Sequence, residues 1–244
     1  MKSVAGRQCV ILAGGLGTRL QAVTGPIPKT LVPVNGRPFA AYQLALLARN
    51  EVSEVVYCIG HRGEQIVRAI GDGSAFGVRV RYVEDGPILR GTAGALRRAF
   101  DEDVLDEAFF VLYGDSYLPI AFPPVFFSFE ANERAPLMTV LRNENRWDRS
   151  NVVYRAPRVA LYDKRCDDPS AAGMTHIDYG LSVLPRNIIA EAVAPEMNLD
   201  LADLYKALSI AGRLIGFEVT QRFYEVGSPE GLTEFSRYAT AHCL

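Results

Sequence analysis

At 244 residues, 49% of them hydrophobic and 22% charged, the chain has the composition of a soluble globular protein and enough length to bury a core without disulfides or metals. Its 26 basic and 28 acidic residues leave a net charge of −2, which gives no field for gathering nucleic acid or anionic lipid, so an anionic ligand must be held by local cations. The four cysteines (Cys9, Cys58, Cys166, Cys243) include no C-x-x-C pair, the MKSVAGRQ start has no apolar stretch of signal-peptide length, and no run is long enough to span a bilayer. The expectation is a soluble, cytoplasmic chain with reduced thiols and no nucleic-acid or membrane partner.

The chain opens with Gln8 to Ala13, a short apolar run that suits a buried strand, and empties into a glycine-rich turn. Pro38 to Asn50 has helix-forming composition and a thick apolar face. Ser53 to Gly60 is a β-rich run, His61 to Ile70 suits a helix, and Val78 to Val83 alternates as a half-exposed strand does. Gly94 to Asp101 reads as a short helix and Phe109 to Tyr113 as another buried strand, ending at Gly114-Asp115. Strands separated by helices indicate βαβ units and a mostly parallel sheet, whose ligands collect at the carboxyl ends of the strands.

The second half is less regular. Pro119 to Asn132 ends in a helix-like tail, Leu137 to Leu141 is strand-like, and a polar loop carries Trp147. Val152 to Tyr154, Val159 to Tyr162 and Thr175 to Leu184 read as strands, and Leu199 to Ser209 as a helix. Leu214 to Thr220 and Phe223 to Val226 suggest closing strands. Ser228 then stands as N-cap to a helix with Pro229 at its first position, running to about Ala241. No repeat, low-complexity tract or linker interrupts the sequence, so residues 1–244 are expected to form one domain.

The stretch from Gln8 to Lys29 carries the strongest signal. Gly14, Gly15 and Gly17, the hydroxyl of Thr18 and the cation of Arg19 follow a strand, and Lys29 comes ten residues later. Such a turn exposes consecutive backbone N–H groups to an anion, and two nearby cations neutralise a polyphosphate that backbone alone only orients. The plain alternative is a tight connection. A dinucleotide fingerprint fails because its third glycine would fall on Leu20, and a P-loop fails because Pro28 precedes Lys29-Thr30. Asp115 at a strand end is either a turn aspartate or a hard carboxylate ligand for Mg²⁺. Gly91, Thr92 and Gly94 open a helix.

The spacing G-G-x-G-T-R-L, eight residues, then Lys29 resembles the entry motif of the sugar-1-phosphate nucleotidylyltransferases, with Ala22 where that family commonly has proline. The resemblance is to short, single-domain members similar to heptose- and mannose-1-phosphate guanylyltransferases. It implies an α/β, Rossmann-like three-layer sandwich with a mostly parallel mixed central sheet. A nucleotide-binding half would cover about residues 1–118 and a sugar-phosphate half about residues 119–244. It also implies transfer of a nucleoside monophosphate from a triphosphate to a sugar 1-phosphate with release of pyrophosphate, Mg²⁺ dependence, and a homo-oligomer.

Carried onto this chain, the resemblance assigns Leu12, Ala13, Gly14, Gly15, Gly17, Thr18, Arg19, Gly91 and Thr92 to the nucleotide, and Arg19, Lys29 and Asp115 to catalysis. The segment Phe223-Tyr224-Glu225-Val226-Gly227-Ser228-Pro229-Glu230 resembles an aromatic-x-D-x-G-[S/T]-P-E element, with Glu225 in place of the usual aspartate as second Mg²⁺ ligand beside Asp115. Sugar-phosphate contacts fall on Asn151, on the Asp163-Lys164 pair, and on Tyr179 and Gly180. A GTP-dependent heptose or mannose 1-phosphate transferase is the expected member. Uridylyl-, thymidylyl- and cytidylyltransferases, the last acting on an alcohol phosphate, are the neighbouring readings, and a non-catalytic nucleotide-sugar sensor is the reading from another class.

Overall fold

The computed structural model describes residues 7–15, 25, 27–86 and 88–244. Among these, β1 (Arg7–Ala13) is followed by a 3₁₀ turn (Lys29–Leu31), the small hairpin β2 (Pro33–Val34) and β3 (Arg37–Pro38), and α1 (Phe39–Arg49). Then come β4 (Val52–Ile59), α2 (Gly63–Ile70), β5 (Arg79–Glu84), α3 (Gly91–Asp101), β6 (Ala108–Tyr113) and β7 (Ser116–Tyr117). The second half contributes α4 (Pro123–Ala131), β8 (Leu137–Arg142), β9 (Val152–Arg155), β10 (Arg158–Tyr162) and β11 (His176–Pro185). The chain closes with α5 (Arg186–Ala192), α6 (Leu201–Ile210), β12 (Ile215–Val219), β13 (Tyr224–Glu225) and α7 (Pro229–Ala241).

One sheet organises these elements, in the order β5-β4-β1-β6-β11-β8-β12-β10-β9, with β9 also touching β11. Strands β5, β4, β1 and β6 pair in parallel, as do β8 and β12, while β11 and β10 run against their neighbours. The expected α/β sandwich with a mostly parallel mixed sheet is therefore present. Alternation along β1 explains the layers: Cys9 and Ile11 enter one core, Val10 and Leu12 the other. The first core packs against α1, α2, α4 and α7, the second against α3, α5 and α6.

Two elements differ from expectation. Helix α3 begins at Gly91, three residues before the expected start, because the α5–α6 connection caps it. Helix α5 was not expected; seven residues are too few for a readable period, yet Ile188 and Ile189 bury against the second core. No helix among the described residues is long and apolar enough to cross a membrane. All four cysteines are unbridged, and burial pushes the Cys9 and Cys58 thiols upward.

The sheet's directions gather the chemistry at one edge. The parallel strands β1, β4, β5 and β6 deliver Gly14, Gly60, Asp85 and Gly114-Asp115 to their carboxyl ends. Because β11 is antiparallel to β6, its beginning lies at that same edge. The register pairs His176 with Val152 and Val152 with Tyr162, which brings Asp178, Asn151 and Asp163 together there.

Candidate active site

The chain leaves β1 where strand ends crowd each other. A Cβ on Gly14 would collide with the Asp85 carboxylate, and one on Gly60 would stand 2.8 Å from the Gly14 carbonyl oxygen. This close approach, rather than turn geometry, is what demands glycine at position 14. Beside it opens a cleft of about 300 Å³ whose lining includes Leu12, Ala13, Gly14, Gly15, Lys29, Gly91, Thr92 and Asp115. Those eight sequence-expected residues are thus brought together; Gly17, Thr18 and Arg19 lie outside the described residues.

Lys29 opens the 3₁₀ turn, and its Nζ donates to Asp115 Oδ2 at 2.8 Å. Two buried groups hold this geometry: Thr30 Oγ1 donates to the Gly114 carbonyl at 3.0 Å, and Gln43 Nε2 donates to the Tyr113 and Ser116 carbonyls at 2.9 and 2.7 Å. Strand β13 pairs with β7, setting Glu225 opposite Ser116, and Val226 N donates to Asp115 O at 2.8 Å. Ser228 accepts from Gly231 N at 3.1 Å, the cap expected for α7, which leaves Gly227 against the Lys29–Asp115 pair. Glu225 is exposed at the edge of the cleft, yet desolvation by the surrounding protein, with the Asp115 and Asp148 charges, raises its pKa to about 7 against the pull of Lys164 and Lys29.

The start of α3 is held by the α5–α6 connection. Gly91 has φ +73°, and a Cβ there would strike the Leu199 backbone. The Ala93 and Gly94 N–H groups donate to Leu199 O at 2.9 and 3.2 Å, and Thr92 Oγ1 accepts from Leu201 N at 2.7 Å. The Ala93 and Gly94 amides are thus satisfied within the chain, while Gly91 and Thr92 themselves line the cleft. Asp85 also lines the cleft, is 5% exposed and has no hydrogen-bond partner for its buried Oδ1 among the described residues. Burial raises its carboxyl to about 6, against the pull of Arg90 and Arg98.

A second cleft, about 400 Å³, shares Thr92, Tyr113 and Asp200 with the first and is lined by Asp163, Lys164 and Lys206. Arg165 is bound by both Asp203 oxygens at 2.7 and 3.2 Å, and Lys206 Nζ donates to Asp163 Oδ2 at 2.7 Å. Asp163 is held below the usual carboxylate range, chiefly by that lysine. Among the described residues Lys164 makes no ion pair, which leaves its charge free for a phosphate, while it draws down both Asp178 and Glu225.

Asn151 serves as a junction: its Oδ1 accepts from Asp178 N at 2.9 Å and its carbonyl from Asp163 N at 2.9 Å. Gly180, at φ +103°, lies near Tyr113 and Leu118. Tyr179 is a correction. Strand alternation turns its side chain, 1% exposed, into the first core with Ile177 and Leu181, its ring edge-on to Phe223 at 5.9 Å. Its neighbour Asp178 takes the other face, accepts from Gly180 N at 3.0 Å, and is raised to about 6 by burial.

Sequence reasoning missed Asp85, Asp178, Asp200 and Lys206. For Asp85 a signal existed, since a carboxylate at the end of a parallel strand stands where Asp115 does.

Residues 8–150 match the model of the nucleotidyl transferase family, and the chain belongs to that family. It is 29% identical over 231 residues to a low-salt glycan biosynthesis nucleotidyltransferase of Haloferax volcanii, covering 92% of this chain and 64% of that protein. It is 31% identical over 147 residues to the D-glycero-alpha-D-manno-heptose 1-phosphate guanylyltransferase of Campylobacter jejuni, covering 60% of this chain and 62% of that protein. The chain thus spans somewhat under two thirds of the length of these curated relatives. Among solved structures, HddC from Yersinia pseudotuberculosis shares the fold at TM-score 0.76 and 22% identity, covering 95% of this chain and 99% of that one. A Bacillus anthracis structure described as a glucose-1-phosphate thymidylyltransferase does so at 0.81 and 20%, covering 96% and 95%.

Proposed function

We propose that this chain transfers a nucleoside monophosphate from a nucleoside triphosphate to a sugar 1-phosphate, yielding an NDP-sugar and pyrophosphate. The observation that carries the reading is the Lys29–Asp115 pair in a nucleotide-sized cleft adjoining a second, charged cleft that presents the unpaired cation Lys164. A sugar-phosphate oxygen attacks the α-phosphorus in line with departing pyrophosphate. The protein's work is to hold two anions in line and to neutralise charge. Lys29 meets the α-phosphate, Lys164 holds the sugar phosphate, and the turn after Ala13, with Arg19, takes the β- and γ-phosphates. No general base is needed, because a phosphate monoester is largely ionised near neutral pH.

Asp115 and Glu225 fit a Mg²⁺ ion. They are hard oxygen donors, Asp115 in the turn between β6 and β7 and Glu225 on β13, which pairs with β7; desolvation and the Asp115 charge raise Glu225, and a divalent cation there would offset the negative charge that Lys29 only partly neutralises. When bound there, the ion supplies electrostatic stabilisation of the phosphates.

Guanine is the base we favour, and Asp85 supports that reading. An ionised carboxylate only accepts hydrogen bonds, and the Watson–Crick edge of guanine presents adjacent N1–H and N2–H donors to its two oxygens. Uracil and thymine would set carbonyl oxygens against it. The sugar we favour is a heptose 1-phosphate, by similarity to the Campylobacter relative, or a mannose 1-phosphate, by the resemblance read from the sequence. Incubation with GTP, Mg²⁺ and either sugar 1-phosphate should give the GDP-sugar mass; hydrolysis of GTP to GMP alone would contradict a transferase.

A further inference from the structure

We infer that Lys206 is a further sugar-binding residue: beside Asp163, which the resemblance already turns toward the sugar, it touches substrate, completes a clamp for a vicinal diol and sets sugar specificity. The inference rests on the transferase reading above. Helix α6 buries Leu204, Tyr205 and Leu208 against the second core and turns Lys206 to the opposite face, into the second cleft. There Nζ donates to Asp163 Oδ2 at 2.7 Å, while Asp163 Oδ1 accepts from Arg165 N at 3.0 Å.

The donor and acceptor accounting is the argument. An ammonium carries three N–H donors, and here a single one is committed to Asp163; an ionised carboxylate has about four acceptor sites, and Asp163 has used part of them. What remains is a donor set beside an acceptor set. Two neighbouring hydroxyls match that pattern, each donating to the carboxylate and accepting from the ammonium. The pair is accessible to such a ligand, with side-chain exposures of 43% for Lys206 and 19% for Asp163.

Two neighbours sharpen the assignment. Arg165 is taken by both oxygens of Asp203, so it does not compete for the diol. Lys164, next in the chain to Asp163, holds the anomeric phosphate, which directs the clamp to hydroxyls elsewhere on the ring. An ion pair this exposed adds little to stability, so a purely structural role predicts almost no effect of its removal on either folding or substrate affinity.

Steady-state kinetics of the wild type, Lys206→Met and Lys206→Arg, with GTP and either mannose 1-phosphate or its monodeoxy analogues, test the clamp. Loss of hydrogen bonds to a charged group should raise the KM for mannose 1-phosphate about tenfold to a hundredfold in Lys206→Met, with the KM for GTP within about twofold. The wild type should discriminate against the analogue that lacks one clamped hydroxyl, Lys206→Met should lose that discrimination, and Lys206→Arg should keep part of it. An unchanged sugar KM in Lys206→Met, or retained discrimination, overturns the clamp, and so does a loss confined to kcat. Should Lys206→Met fold poorly by circular dichroism, Lys206→Gln gives the same readout. A wild type that turns over no sugar 1-phosphate would instead remove the transferase reading, so the two failures are distinct.

Discussion

Replacing Asp85 with asparagine should make the protein more stable and less active with GTP. Asp85 is 5% exposed, and its carboxyl is raised from 3.8 to about 6 by burial. At about 1.36 kcal/mol per pK unit, keeping that charge in the fold at pH 7 costs about 2–3 kcal/mol, which the neutral amide removes. The sign follows from linkage. A carboxyl raised on folding binds its proton in the native state first, so the wild type regains stability as pH falls from 6 towards 4. Asp85→Asn should therefore melt about 4–10 °C higher at pH 7, with the gap closing by about pH 4. The amide presents only one acceptor to the two guanine donors, so KM for GTP should rise about tenfold to a hundredfold. Differential scanning fluorimetry across pH and pyrophosphate-release kinetics read both effects. A variant that is destabilised, or one that is stabilised with GTP affinity intact, would refute the assignment of Asp85 to the base.

Lys29→Ala and Asp115→Ala should each lose at least about a hundredfold in kcat with unchanged circular dichroism, since each removes an electrostatic stabiliser of transferring phosphate; near wild-type turnover in either sinks the mechanism. Glu225→Ala should weaken the Mg²⁺ dependence of turnover, read as a higher half-saturating Mg²⁺ concentration, and an unchanged Mg²⁺ titration would remove its ligand role. Tyr179→Phe should leave the KM for sugar 1-phosphate unaltered, because the hydroxyl is buried without a partner among the described residues and the ring faces the core. A raised sugar KM there would restore Tyr179 to the sugar site.

What the sequence disclosed and what it hid divide along a physical line. Strands buried on both faces announce themselves as unbroken apolar runs, so β1 and β6 were found within a residue of their observed limits, Arg7–Ala13 and Ala108–Tyr113. The Ser228 cap with Pro229 marked α7 through local chemistry alone. Likewise Gly14 and Lys29 were legible because one spacing pattern after β1 carries them, and Asp115 because it ends the apolar run of β6.

Asp85, Asp178 and Lys206 were not, since their significance comes from burial or from partners far away in the chain: Lys206 meets Asp163 across 43 positions, and Asp178 owes its environment to Asn151 and Lys164. The misassignment of Tyr179 has the same origin. A motif match places a residue on a strand, but only the pairing register decides which face its side chain takes.

The central claim is that one edge of this sheet joins a nucleotide cleft to a sugar-phosphate cleft for a single transfer. Pyrophosphate release measured across the four nucleoside triphosphates, each with and without heptose, mannose or glucose 1-phosphate, tests it most directly. The account predicts release that requires the sugar 1-phosphate, matches NDP-sugar formed one for one, and has its highest kcat/KM with GTP. Release that proceeds equally without any sugar phosphate, or none across the whole panel, would contradict it.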